Sequence, residues 1–213
     1  MPHNKPLHPI LGGSVRPHEN HPMVDTSLSR ISRLPWGAVA ALVGVAVFVA
    51  TVVALHLLQP DYDPTHQLMS ELALGPYGWA MILAFGGLAL AVFGVQAAIG
   101  ALGAARGLRL LLVAAALCFL AAGIFPLGDT SEIHIAAIAT AFVLSVLAMY
   151  LFPSGASRAS FAAPRAVSWS TACGVAVSVA LGHSILPMGI GQRLAATCIL
   201  LWLAILGWRL SRK

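Results

Sequence analysis

Residues 36–58 read WGAVAALVGVAVFVATVVALHLL, a stretch with no Asp, Glu, Lys or Arg. As a helix, about 20 such residues cross the roughly 30 Å hydrocarbon core of a bilayer. Working outward, five further apolar runs follow, at about Tyr77–Ile99, Leu108–Leu127, Ile133–Phe152, Val167–Leu186 and Ile190–Leu210. All are continuously apolar rather than alternating, which excludes a membrane β-barrel. Across the 213 residues 59% are hydrophobic and 9% charged, with mean hydropathy +0.87. A soluble domain carries about 25% charged residues, so lipid is the solvent this chain is built for. The expected fold is all-α: a six-transmembrane-helix antiparallel bundle over residues 36–213. It follows a polar N-terminal tail, residues 1–35, with no cleavable signal peptide in view.

Charge sorts the connections. Lys5, Arg16, Arg30, Arg33, Arg106, Arg109, Arg158, Arg165, Arg209, Arg212 and Lys213 fall on one side of six crossings. By the positive-inside rule that side, with both termini, is the cytoplasm. The expected location is the cytoplasmic (inner) membrane. The net charge of +5 then speaks of lipid headgroups rather than nucleic acid. Only Arg193 falls opposite. There it is expected to pair with Glu71 or Asp129, or to clamp an anionic ligand. Cys118, Cys173 and Cys198 all lie in apolar runs and read as small buried hydrophobes. Gly86, Gly87, Ala91 and Gly94 allow close helix approach.

The outer connections hold most of the protonatable chemistry. The first, residues 59–76, reads QPDYDPTHQLMSELALGP. Asp63-Pro64 is a helix start and Gly75-Pro76 a stop, so a short interfacial helix of about three turns is expected, with His66 and Ser70 on one face. In the second connection Asp129 is expected to cap the fourth helix, with Glu132 three residues on and His134 one turn in. His183 ends the fifth helix. With His56, four histidines reach one depth, accompanied by Ser70, Glu71, Asp129, Glu132 and Arg193. In the tail, His3, His8, His18 and His21 form a histidine-rich tract of a kind that can bind metal, but their irregular spacing favours a flexible tail as the expectation.

Ser70-Glu71-Leu72-Ala73 with Gly75-Pro76, Phe125-Pro126 with Asp129 and His134, and Gly189-Ile-Gly-Gln-Arg193 occur in that order. Together they resemble a family of bacterial and archaeal polytopic membrane proteins known only as a domain of unknown function. The resemblance spans about Trp36 to Leu210 and implies a six-helix bundle but no activity. Ser70, Asp129, His134 and His183 are also similar in type to the residues of ceramidase-like membrane hydrolases. The chain departs from those in having six helices and no late His pair four apart.

Three functions fit these residues. The first is a lipid- or small-anion-binding protein, or an accessory subunit of a larger membrane complex, with Arg193, Glu71, Asp129 and His134 lining its site. The second is a membrane hydrolase with zinc on His66, His134, His183 and Asp129. There Glu71 would be the base, and Ser70, lacking a Gly-x-Ser-x-Gly elbow, the weaker nucleophile. The third is a b-type haem protein using His134 with His183 or His56. Transport is disfavoured, because no run is broken or charged at mid-membrane. No complete catalytic motif is present, so the binding or accessory reading leads, with no cofactor assigned.

Overall fold

The computed structural model describes residue 1 and residues 36–156 and 162–212, apart from the His183 side chain. The tail histidines and Arg158 lie outside the described residues. Within the compact unit of residues 34–213, the described residues form six long helices and no strand. They are α1 (Trp36–Leu58), α2 (Met81–Ala101), α3 (Arg106–Ile124), α4 (Ser131–Gly155), α5 (Arg165–Ser184) and α6 (Met188–Ser211). Among the described residues five segments are long and apolar enough to cross a membrane: α1, residues 78–101 around α2, α3, α4 and α6. α5 opens on Ser168, Ser170 and Thr171, is the least apolar of the six, and is not among them.

The helices pack in chain order, each against the next, and α6 closes the ring against α1 and α2. In lipid no hydrophobic force pulls helices together, so close backbone packing must do so. α1 and α2 show how. Gly37 lies against Gly94 and Ala98, and Gly44 against Gly87 and Ala91. Both glycine pairs recur every seven residues and run antiparallel. A Cβ on Gly44 would stand 2.3 Å from the Gly87 carbonyl oxygen, so backbone meets backbone. Gly86, expected in the same contact, has nothing within 4 Å; it sits one residue round the helix from the seam.

α1 buries Ala38, Ala41, Gly44, Phe48, Val52 and Leu55, a stripe at helical spacing. Its other face leaves Val43, Val53 and Leu57 exposed, as a lipid-facing surface requires. α2 is the central helix, buried on most sides. At the end where α1 begins and α6 finishes, Phe152 of α4 meets Trp202 of α6 edge-on, and the Tyr150 and Trp169 rings stack across α4 and α5. Trp202 Nε1 donates to Ser168 Oγ (3.2 Å) in the buried seam.

At the opposite end, residues 59–80 form a strap between α1 and α2. The expected three-turn helix is instead an irregular turn followed by a six-residue 3-10 helix, Met69–Leu74, and a second 3-10 turn, Gly78–Ala80. Asp63 Oδ1 accepts the Thr65 N–H (2.8 Å) and closes a local turn rather than starting a long helix. His66 and Ser70 therefore do not share a face: His66 is exposed and Ser70 is 3% exposed. Asp129 is not the cap of α4. Gly128, at φ +120°, turns the chain so that the helix opens at Ser131 behind Thr130. Ser131 Oγ and Thr130 Oγ1 take the local bonds, to Gly128 and to the Pro126 carbonyl.

Candidate functional site

The Gly189-Ile-Gly-Gln-Arg193 stretch docks the strap onto the start of α6. Gly189 faces three strap carbonyls: a Cβ there would lie 2.5 Å from Gln67 O, 2.6 Å from Thr65 O and 2.8 Å from Pro64 O. The α6 N-terminus has unsatisfied N–H groups, and Ile190 N–H donates to Thr65 O (3.2 Å). Gly191 lies against Gly182 of α5, where a Cβ would be 2.5 Å from the Gly182 Cα. Gln192 Oε1 accepts the Met69 N–H (2.6 Å) at the start of the 3-10 helix.

Arg193 completes the latch. One terminal nitrogen donates to Gln67 O (2.9 Å) and Gly189 O (2.9 Å). The other donates to His56 Nε2 (3.2 Å) and to the Tyr62 hydroxyl. His56 donates through Nδ1 to Val52 O (2.7 Å), so its Nε2 is the unprotonated acceptor. Tyr62 in turn donates to Leu68 O (2.8 Å). Burial pushes the Tyr62 phenol above its ordinary pKa, and the hydrogen bond from Arg193 opposes that rise. Neither expected carboxylate is among the hydrogen-bond partners of Arg193; Asp63 of the strap pairs instead with His66, at 2.7 Å on the surface. The His66 bond and then the Thr65 N–H hold the Asp63 carboxyl below its ordinary value.

Glu71 is spent inside the strap. Its Oε1 accepts the Leu68 N–H (2.9 Å) and its Oε2 the Gln67 Nε2 (3.3 Å). It also borders a cleft of ≈260 Å³ with Asp61, Tyr62 and Gln59. Ser70 lines a separate, nearly closed void with Gln192, Phe48, Phe85 and Phe142, of ≈20 Å³, room for about one water. Asp129 and Glu132 are exposed. His183 lies in the last turn of α5, and its side chain is outside the described residues.

His134 is 1% exposed. The sequence explains half of its environment. Ala122 would receive its helical hydrogen bond from residue 126, but Pro126 has no N–H. His134 Nδ1 supplies the donor instead, to Ala122 O (2.9 Å) and Phe125 O (3.0 Å). Its ring meets Phe85 edge-on at 5.5 Å. Together with Trp79, Ile82, Phe85, Gly123 and Pro126 it lines a crevice of ≈300 Å³.

The structure thus joins His56 to Arg193 and sets His66 and His134 apart from both. No three His, Cys, Asp or Glu side chains among the described residues come together as a metal group. Sequence reasoning passed over Gln59, Tyr62 and Gln192. Gln59 is 6% exposed, and its Nε2 donates to Leu72 O (3.0 Å) and Pro76 O (2.7 Å). The available signal was a Gln directly after an apolar span and another directly before the exceptional Arg.

No curated protein and no solved structure matches the chain, and no comparison supports the similarity to ceramidase-like hydrolases. One family model does match, over residues 42–209. The chain therefore belongs to the DUF998 family, described as proteins of unknown function.

Proposed function

We propose that this is a six-crossing protein of the cytoplasmic membrane, with both termini in the cytoplasm, that binds membrane lipid at its outer end. Six crossings rest on packing as well as apolarity. α5 has 20 residues, about 30 Å at 1.5 Å per residue, and it lies between α4 and α6. Aromatic residues mark both ends, as at membrane interfaces: Trp36, Tyr150, Trp169 and Trp208 at one, Tyr77 and Trp79 at the other. Arg212 stacks on Trp208 at 3.9 Å, on the side where the basic residues gather.

One observation carries the binding reading. Most polar side chains of the strap are bonded to one another or to α6, and both terminal nitrogens of Arg193 are occupied. Of the two clefts at this end, the ≈300 Å³ crevice is the larger and has mostly apolar walls. Such a cleft favours lipid over a small anion, since Arg193 has few donors left to offer. Native mass spectrometry from lipid nanodiscs tests it. Retained lipid at about one per chain supports the reading, and a chain that sheds all lipid under mild activation contradicts it.

A further inference from the structure

His134 Nε2 is the one buried side-chain nitrogen or oxygen among the described residues that has no hydrogen-bond partner. A buried, unsatisfied polar atom costs about 1–3 kcal/mol, and each one in a folded protein calls for an explanation. The helix-capping role of the ring accounts for Nδ1 alone. Both contacts of Nδ1 are carbonyl oxygens, which only accept, so Nδ1 carries the proton. In the neutral ring Nε2 is then a lone pair held in a fixed direction. Its ring belongs to the wall of the ≈300 Å³ crevice, whose other members include Trp79, Ile82, Phe85 and Ile124.

We propose that this crevice binds an uncharged lipid through a hydroxyl group that donates to His134 Nε2. The proposal rests on the lipid-binding reading and names the ligand chemistry. The ligand must bring a donor, because Nε2 offers only a lone pair. It must be uncharged, because the walls are apolar and a buried charge there would have no partner. It must be compact at the polar end, because the crevice, at ≈300 Å³, is only about twice the cavity that takes up a benzene ring. Two sources of such a hydroxyl exist in a membrane: the phenol of an isoprenoid quinol, and the free alcohol of a diacylglycerol. A metal ion is a poor occupant, since no three His, Cys, Asp or Glu side chains among the described residues come together here.

The test uses the full chain in nanodiscs and two probes, a short-chain quinol and dioctanoylglycerol, titrated against tryptophan fluorescence. Asn in place of His134 keeps a donor near Nδ1 and lacks Nε2. His134→Asn is therefore expected to keep the fold, checked by its melting temperature, and to weaken the bound probe about tenfold. Ile82→Trp fills the crevice from a lipid-exposed position and leaves His134 in place; it is expected to abolish binding. Saturable binding of one probe, weakened about tenfold in His134→Asn and lost in Ile82→Trp, supports the assignment, and which probe binds identifies the source. Equal affinity in the wild type and His134→Asn overturns it. Retention of phosphatidylglycerol with no binding of either probe overturns it and leaves the lipid-binding reading standing. Absence of all lipid overturns both.

Discussion

Replacing Arg193 with alanine should detach the strap, and the size of the effect can be worked from its bonds. Of the four acceptors, Gly189 O lies on the same helix and joins nothing. The other three link α6 to other segments: Gln67 O and Tyr62 on the strap, and His56 on α1. A hydrogen bond to a charged group contributes roughly 1.5–3 kcal/mol. Three give about 4.5–9 kcal/mol as a ceiling. Arg193 is only half-buried, so water replaces part of this, and about 2–4 kcal/mol is the expected loss. At about 2–4 °C per kcal/mol for a chain of this size, the melting temperature should fall by roughly 5–15 °C. Tryptophan fluorescence during a thermal ramp in detergent reads this directly. Arg193→Lys should lose about half as much, because one ammonium cannot span the same acceptors. Arg106→Ala, at an exposed position, should change little. A melting point within about 1 °C of wild type for Arg193→Ala, or an equal loss in Arg106→Ala, would falsify the latch.

Three other outcomes follow from the same geometry. Gly44→Leu drives a side chain into the Gly87 and Ala91 backbone, with no flexible neighbour to yield. It should cost at least the roughly 1–3 kcal/mol of an overpacked core, seen as lost folded yield, whereas Gly86→Leu, with nothing within 4 Å, should be tolerated. Gln59→Leu keeps the volume and removes two bonds to strap carbonyls; a loss of about 1–3 kcal/mol is expected, and an unchanged melting point would count against the role of Gln59. Tyr62 has a folded pKa raised above that of the unfolded chain. Its contribution is therefore fully present below about pH 10 and is lost as pH rises through the folded value. Melting temperatures at pH 8 and pH 10.5 should fall further in the wild type than in Tyr62→Phe, and equal falls would remove Tyr62 from the account.

The helical membrane character was legible because it depends on apolarity, which is local in sequence. α1 begins and ends where the apolar run does. The strap was not legible in the same way. Its turn signals at Asp63-Pro64 and Gly75-Pro76 are real, but the 3-10 geometry between them is set by distant partners, Gln192 at the start and Gln59 from within. Arg193 stood out as the basic residue on the unexpected side. Its acceptors could not be read, because carbonyl oxygens and a neutral histidine leave no charge signature. Gly189 and Gly191 look like helix-start glycines, and only the packed chain shows that one clears the strap and the other clears α5. His134 was picked out by type and position. Its tie to Ala122 follows from Pro126, two facts that sequence places together only once the α3–α4 turn is known.

The polar residues at the strap end of the bundle hold the strap closed. Hydrogen–deuterium exchange of residues 60–76 in nanodiscs tests it most directly. The Leu68, Met69 and Glu71 amides are bonded to Glu71, Gln192 and the Leu68 carbonyl. The account predicts that they exchange at least about a hundredfold slower than free peptide, and that Arg193→Ala removes most of this protection. Exchange of these amides at free-peptide rates in the wild-type protein would contradict it.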